Sequence, residues 1–408
     1  MSKYGRRTRL LVLTSTFPRW PGDACPAFVA DLSQGLAQRF DVTVLAPGAP
    51  GAAPHERMGE LDVRRYTYSL PRASQHLAEG AILPNLRAHP LLFAQVPGLV
   101  AAQLFAAWRL VRSGSFDAIH AHWAVPQGWV AALLRSWTGV PVLTTTHGGD
   151  VYALRTGAAL RAKRYALRNS DRITAVSAHL KGEVVGLGID ESRVDVLPMG
   201  VDTSRFTPDA ASPALRESLN PAGPLLLFVG RLVEKKGARY AIEAMSLIVA
   251  SRPRARLIII GDGPERQRLE QLARDMCLQD NVTFAGAIAN DKLPAYYASA
   301  DLLIGPSVVE ANGDTESFGV VFAEAMASGC PVICTDAGGI ADLTAGGEYA
   351  RVVPQRDAAA IADAACDLIR NPGQLARLRG RGIERMRDRF DHSLIHQAYG
   401  DIIERVAA

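Results

Sequence analysis

"GDTESFGVVFAEAMASGCPVI", Gly313 to Ile333, reads as four pieces in a row: a polar loop, an apolar helix, a stop at Gly329, and the opening of a buried strand. Glycine just past the last periodic residue, with proline soon after, is the usual helix stop. A helix that hands over to a continuous apolar run is the repeating unit of a parallel sheet covered on both faces. Within the stretch, Glu316 and Glu324 stand eight positions apart. On one helix that is a rise of about 12 Å, too far for two carboxylates to share a proton. Between them Phe318, Gly319 and Val320 offer the backbone amides of a helix start, which attract an anion through orphan N–H groups and the helix dipole. The spacing fits a nucleotide sugar, with sugar hydroxyls on Glu316, diphosphate on the amides and ribose on Glu324. An amphipathic helix carrying two exposed acids is the competing reading.

The same unit recurs outward in both directions. "LLLFVGR", "ARLIIIGDG", "VTFAGA" and "DLLIGPS" precede it, and the first half carries "RLLVLTS", "VTVLAP", "AIHAHW", "VLTTTHG", "RITAVS" and "RVDVLPMG". Helical stretches such as "FVADLSQGLAQRF" and "GWVAALLRSWTG" lie between them. At 408 residues the chain exceeds one ordinary core. The expectation is an α/β chain of two Rossmann-like, doubly wound parallel-sheet domains facing a central cleft. Pro, Ala and Ser cluster in Val201–Pro224 and mark the boundary. The domains are set at 1–203 and 204–385, with 386–408 as a C-terminal helix returning to the first. Open sheets of this kind bind ligands beyond the carboxyl ends of their strands, so the chemistry belongs in the strand-end loops.

Composition narrows the function further. The chain is 48% hydrophobic and 21% charged with a formal charge of +4, and no basic-aromatic repeat points to nucleic acid. Of five scattered cysteines, Cys330 and Cys334 share an apolar strand and read as small buried thiols rather than a metal or redox pair, and a reducing cytosol is expected. The first apolar run, "LLVL", is shorter than a signal-peptide core. Leu91–Leu110 approaches spanning length but holds two Gln, a Pro, a Gly and an Arg, so a buried or interfacial helix is expected.

Two more strand ends carry candidate chemistry. "FVGRLVEKKG" sets Arg231 and Lys236 just past a strand, with Gly230 and Gly237 allowing tight turns; two cations there can hold a diphosphate. "IIIGDGPERQRL" gives Gly261-Asp262-Gly263, but Arg266 stands where a dinucleotide fingerprint needs its third glycine, which argues against a nicotinamide enzyme. No D-x-D motif occurs to hold a metal-bound diphosphate; Asp314-Thr315-Glu316 is the nearest approach.

With "GRLVEKKG", "GDGPE" and Glu316-x7-Glu324 in that order, the chain resembles retaining glycosyltransferases of family four, which have the GT-B fold. The likeness covers nearly the whole chain. It implies that Arg231 and Lys236 neutralise the leaving diphosphate, Glu316 grips the donor sugar and Glu324 holds the ribose. Gly230 and Gly261 would lie at the donor, and Ala287, after "VTFAG", near the base. "TTTHGGDVY" resembles the family's active-site histidine loop, which makes His147 a catalytic candidate with Asp150 beside it on the acceptor side. His122, in "IHAHW", is a further acceptor-side candidate. Members often carry Gly-Gly in the first loop, where amides meet phosphate. Here "FPRWPGDACPAF" has Gly22 alone, which is the donor-side candidate of this loop, with Arg19 or Asp23 facing the acceptor.

The reading is a metal-independent, retaining hexosyltransferase that needs no cofactor. It takes a UDP-, GDP- or dTDP-sugar and serves a glycan or lipid-linked acceptor in cell-surface polysaccharide or glycolipid synthesis. An epimerase of the same fold, or a non-catalytic nucleotide-sugar binder, are the alternatives. Arg155, Arg161, Lys163, Arg164 and Arg168 form a basic, acid-free segment. It is expected to touch the inner face of the cytoplasmic membrane in an otherwise cytoplasmic protein.

Overall fold

A computed structural model describes residues 6–408 apart from Pro21, Ala24, Ala81 and Leu154. Two compact units emerge: residues up to Met199 together with Ser393–Ala408, and Gly200–His392.

The first unit is built on an eight-stranded sheet. Its strands are β1 (Arg9–Leu13), β2 (Asp41–Pro47), β3 (His55–Met58), β4 (Leu61–Tyr66), β5 (Ala118–His122), β6 (Val142–Thr146), β7 (Arg172–Ala175) and β8 (Val194–Val196), in the order β3-β4-β2-β1-β5-β6-β7-β8. Every pairing is parallel except the edge pair β3–β4. Both faces of β1 are covered, which is why "LLVL" is apolar without alternation. Leu11, Leu13, Ile119 and Ala121 meet Leu99, Ala107, Val130 and Leu134 from the helices Val96–Gly114 and Trp129–Thr138.

The helix His392–Ala407 closes this unit. Tyr399 is fully buried and its hydroxyl donates to the Leu197 carbonyl at 3.1 Å. Arg39 pairs with Asp401 and Glu404 at 2.8 and 2.9 Å. Gly35 lets the two elements approach, because a β-carbon there would stand 1.8 Å from His396 Nδ1. Residues 386–392, grouped with this helix from the sequence, stay with the second unit instead. A π-type turn at Met386–Phe390 buries both its end residues, and the chain then bridges to Val201, whose N–H donates to Phe390 at 2.8 Å.

The second unit carries β9 (Leu225–Val229), β10 (Arg256–Ile260), β11 (Val282–Gly286), β12 (Leu302–Gly305), β13 (Val332–Cys334) and β14 (Arg351–Val352), all parallel, in the order β11-β10-β9-β12-β13-β14. Its core sets Leu226, Phe228 and Ile259 against Ala241, Met245 and Ile248 of the helix Ala238–Ser251. Ile361, Ala365 and Leu368 repeat at helical spacing in the neighbouring helix Ala358–Arg370, which starts where Asp357 accepts from the Ala360 N–H at 2.9 Å. Truncating any of these large side chains to Ala would cost about 2–5 kcal/mol. Cys330 and Cys334 are buried here, and burial pushes the Cys334 thiol up to about 12.

The run that approaches spanning length folds as a 3₁₀ segment, Pro90–Gln95, followed by the α-helix Val96–Gly114. Leu99, Gln103, Ala107 and Val111 turn inward at four-residue spacing, while Phe105 stays exposed.

Candidate active site

All the donor-side candidates of the second unit gather at the carboxyl ends of its strands, held there by backbone contacts between loops. The Gly230 N–H donates to Ile260 at 3.0 Å and the Gly261 N–H to Gly286 at 2.8 Å, which ties the ends of β9, β10 and β11 together. A β-carbon on Gly261 would stand 2.0 Å from the Gly230 carbonyl oxygen, so only glycine permits this approach. The Val308 N–H donates to the Lys235 carbonyl at 2.8 Å, joining the loops after β9 and β12. Glu316 is anchored in the same way: its carbonyl accepts from the Gly339 N–H at 2.8 Å, in the loop after β13.

Gly319, at φ +86°, is the N-cap of the helix Val320–Ala327, with no side-chain cap. A glycine cap leaves the first amides of this helix without a capping side chain, which suits them to a phosphate. Phe318 contributes only its backbone, since its ring is buried against Phe390 at 5.8 Å.

Neither acid of the E-x7-E pair is freely exposed, so the amphipathic alternative does not hold. The Glu316 carboxylate accepts from Lys236 Nζ in a close ion pair, with the two side chains 12% and 18% exposed. Burial alone would raise the Glu316 carboxyl; the charge and hydrogen bond of Lys236, with Lys235 behind, hold it below the usual carboxylate range. Lys235 in turn pairs with Asp314 at 3.1 Å. Arg231 is exposed, and no acid pairs with it among the described residues. Glu324 is buried in the second turn of its helix and accepts from the Tyr297 hydroxyl at 2.9 Å. Tyr297 is wholly buried with its ring edge-on to Phe206, and burial together with the Glu324 charge raises its phenol well above its ordinary value. Ala287 follows β11 and is exposed.

In the first unit, His147 follows β6 and hydrogen-bonds through Nε2 to His122 Nδ1 at 3.0 Å. Its ring also meets Trp123 at 4.6 Å and Phe28 at 5.2 Å. His122 is fully buried, which corrects its assignment to the acceptor: it supports His147 from behind. His120 lies deeper, bonded to Thr145 at 2.7 Å. Burial pushes His120 and His147 down to about 3 and His122 well below its ordinary value, so all three are neutral near pH 7.

Asp150 is likewise turned inward. Its carboxylate accepts from the backbone N–H groups of Ala124, His147 and Gly148 at 2.7, 3.1 and 3.0 Å, so it shapes the histidine loop rather than facing an acceptor. Arg19 is occupied as well, by Asp23 at 2.6 Å and Glu79 at 3.5 Å, with its guanidinium 4.5 Å from the Trp20 ring. Gly22, at φ +78°, belongs to the turn closed by Asp23 N–H on the Trp20 carbonyl at 3.2 Å. Lys163 does not belong to the exposed basic face. It is buried and donates to the carbonyls of Val151 and Ala153 at 2.7 and 2.6 Å, while Arg155, Arg161, Arg164 and Arg168 remain exposed.

Sequence reasoning missed Tyr297 and the Gly338-Gly339 loop. "PAYYASAD" carries no sign that one tyrosine reaches a glutamate on another helix, whereas the glycine pair in "DAGG" after β13 was a visible turn signal.

Two family models match the chain, one over each half. The model of "Glycosyltransferase Family 4" matches residues 27–205 and that of "Glycosyl transferases group 1" matches residues 214–385. The GDP-mannose-dependent alpha-(1-6)-phosphatidylinositol monomannoside mannosyltransferase of Mycobacterium tuberculosis is 32% identical over 264 residues, 64% of this chain and 69% of that protein. D-inositol 3-phosphate glycosyltransferase 2 of Catenulispora acidiphila is 32% identical over 375 residues, 85% of each chain. Sucrose-phosphate synthase from Thermosynechococcus elongatus superposes with a TM-score of 0.78 at 24% identity, covering 98% of this chain and 99% of that one, which establishes the GT-B fold. The mannosyltransferase and the inositol-phosphate glycosyltransferase favour transfer over the epimerase and binding-module readings.

Proposed function

Because the chain belongs to glycosyltransferase family 4, we propose that it transfers a sugar with retained anomeric configuration and without a metal ion. The donor is a nucleoside-diphosphate sugar and the acceptor a hydroxyl on a glycan or lipid-linked glycan. The observation that carries this reading is the Lys236–Glu316 pair beside an uncapped helix start, with Arg231 exposed on the same strand-end loops.

When donor arrives, Lys236 exchanges the Glu316 carboxylate for a phosphate oxygen. Arg231 and the Val320 helix amides share the remaining diphosphate charge, and Glu316 is released to accept from sugar hydroxyls. Glu324, oriented by Tyr297, takes the ribose hydroxyls. As the bond from the anomeric carbon to the β-phosphate oxygen breaks, positive charge builds on the sugar and negative charge on the diphosphate; fixed cations and amides stabilise the latter. The acceptor oxygen attacks from the face that the diphosphate leaves, and its proton passes to the departing phosphate. Retention follows without a covalent enzyme intermediate. His147 is assigned to the acceptor-side machinery, with Asp150 as the residue that positions its loop.

The test begins with a thermal-shift panel of UDP-, GDP- and dTDP-sugars, followed by NMR of the anomeric configuration of the product formed from the best donor in the presence of chelator. An inverted product would overturn the mechanism, and chelator-sensitive transfer would overturn metal independence. Arg231→Ala, Lys236→Ala and Glu316→Ala should each abolish measurable transfer in folded protein, and near-normal transfer by all three would sink the site.

A further inference from the structure

We propose that three adjacent helices of the first unit, Val96–Gly114, Trp129–Thr138 and Gly157–Arg168, form a docking face for an anionic lipid surface. The first of them packs on the second and the second on the third, so they make one layer over the sheet. Aspartate and glutamate supply 41 of the 408 residues, yet none occurs in any of these helices or anywhere between Glu79 and Asp117. The layer combines this absence of acids with exposed apolar bulk and exposed cations. Leu91 and Phe93, just before the first helix, are 92% and 61% exposed, and Phe105 and Trp137 are 59% and 56% exposed.

On the first helix, Phe105, Trp108, Arg109 and Arg112 share the side opposite Leu99, Gln103, Ala107 and Val111. Arg109 lies over the Phe105 ring at 6.0 Å from its centroid and Arg112 over the Trp108 ring at 5.2 Å, so each cation is stacked on an aromatic face. On the third helix Arg161, Arg164 and Arg168 are exposed beside Tyr165. Aromatic rings that enter the headgroup boundary, with arginines that meet lipid phosphate, are the chemistry of an interfacial helix.

Pro90–Gly114 is long and apolar enough to span a bilayer by length and composition. Packing decides against spanning, because the inner row from Leu99 to Val111 is seated on the sheet and extraction would strip the core. An acidic protein partner would need cations as its main contact, whereas this face also exposes Leu91, Phe93, Phe105 and Trp137. A bilayer with anionic headgroups satisfies both the apolar side chains and the arginines. The surface sensed from the sequence at Arg155–Arg168 is therefore extended across two further helices and loses Lys163, which points inward.

The experiment is flotation of the full-length protein with vesicles of phosphatidylcholine alone and of phosphatidylcholine mixed with phosphatidylglycerol, at low and high salt. Wild type should float with the anionic vesicles and release as salt rises. Replacing Arg161, Arg164 and Arg168 by Gln should weaken binding about fivefold per arginine and flatten the salt dependence. Phe93→Ser with Phe105→Ser should weaken it more than about tenfold at low salt. Both substituted sets lie on exposed side chains, and unchanged thermal unfolding verifies the fold. Equal flotation with neutral and anionic vesicles, or wild-type binding by either variant, would overturn the proposal. So would a dimer in sedimentation that the phenylalanine variant disperses, since the face would then join two copies. Binding is read without donor or acceptor, so its failure leaves the transfer reading intact, and the converse holds.

Discussion

Lys236→Met tests the central pair most directly. The substitution keeps the stem and deletes the charge, leaving the Glu316 carboxylate, 12% exposed, without its main partner. Removing one member of a fully buried pair costs about 3–5 kcal/mol; residual exposure and Lys235 nearby reduce that to about 2–3 kcal/mol. In a unit of this size the melting temperature should fall by about 5–10 °C. Adding Glu316→Gln removes the stranded charge, so the double variant should regain about 1–2 kcal/mol while transferring no sugar.

The pH dependence has a definite sign. The Glu316 carboxyl of wild type is held below its unfolded value, so its stabilisation is present at neutral pH and fades as pH falls through the depressed value. Without Lys236 burial acts with less opposition, the carboxyl takes a proton at higher pH, and the deficit of Lys236→Met against wild type should narrow on acidification. Urea unfolding of the four proteins of the cycle at several pH values, read beside transfer activity, decides the matter. A double variant no more stable than Lys236→Met, or a deficit independent of pH, would refute the ion-pair account.

Glu324→Gln should raise the donor KM about tenfold with kcat within about twofold, because ribose binding is equal in ground and transition states; a pure kcat loss at unchanged donor affinity would contradict this. Tyr297→Phe should shift the same parameter in the same direction by a smaller factor, as its hydroxyl acts only through Glu324, and steady-state titration of donor measures it. Gly261→Ala combines φ +136° with a β-carbon 2.0 Å from a carbonyl oxygen, and should destabilise the second unit by about 3 kcal/mol or more in a thermal scan. The buried histidines place an acid limit on the first unit. Their folded values lie below the unfolded value, so the unfolded chain binds more protons and stability falls as pH drops from about 6.5, by at most about 1.4 kcal/mol per pH unit for each histidine. His120→Gln should flatten the slope of urea midpoint against pH, and an unaltered slope would exclude that residue as a contributor.

The parallel strands were legible because burial on both faces makes "LLVL", "LLLFV" and "LIII" continuous apolar words. The edge hairpin escaped because "HERM" and "LDVRRY" mix charge into strands with an open side, and β14 is only two residues long. At the candidate site, the residue types and their strand-end positions could be read from spacing. Their pairings could not, since Lys236 and Glu316 are 80 residues apart, and Tyr297 and Glu324 are 27 apart. Asp150 and Arg19 looked free because polar loop residues look alike whether they serve a ligand or their own loop. Lys163 was recoverable in principle: it shares a helical side with Ala166 and Leu167, both buried.

The terminal helix has a consequence for biosynthesis. Its buried Tyr399 reaches the carbonyl of Leu197, so a wall of the first unit is supplied by residues translated after the whole second unit. As the nascent chain emerges, the eight-stranded sheet must wait with Leu197 and the ring of His120 uncovered while nearly two hundred further residues leave the ribosome. A chain stopped early, even one that keeps every catalytic candidate, is therefore expected to present this gap to chaperones and proteases for good.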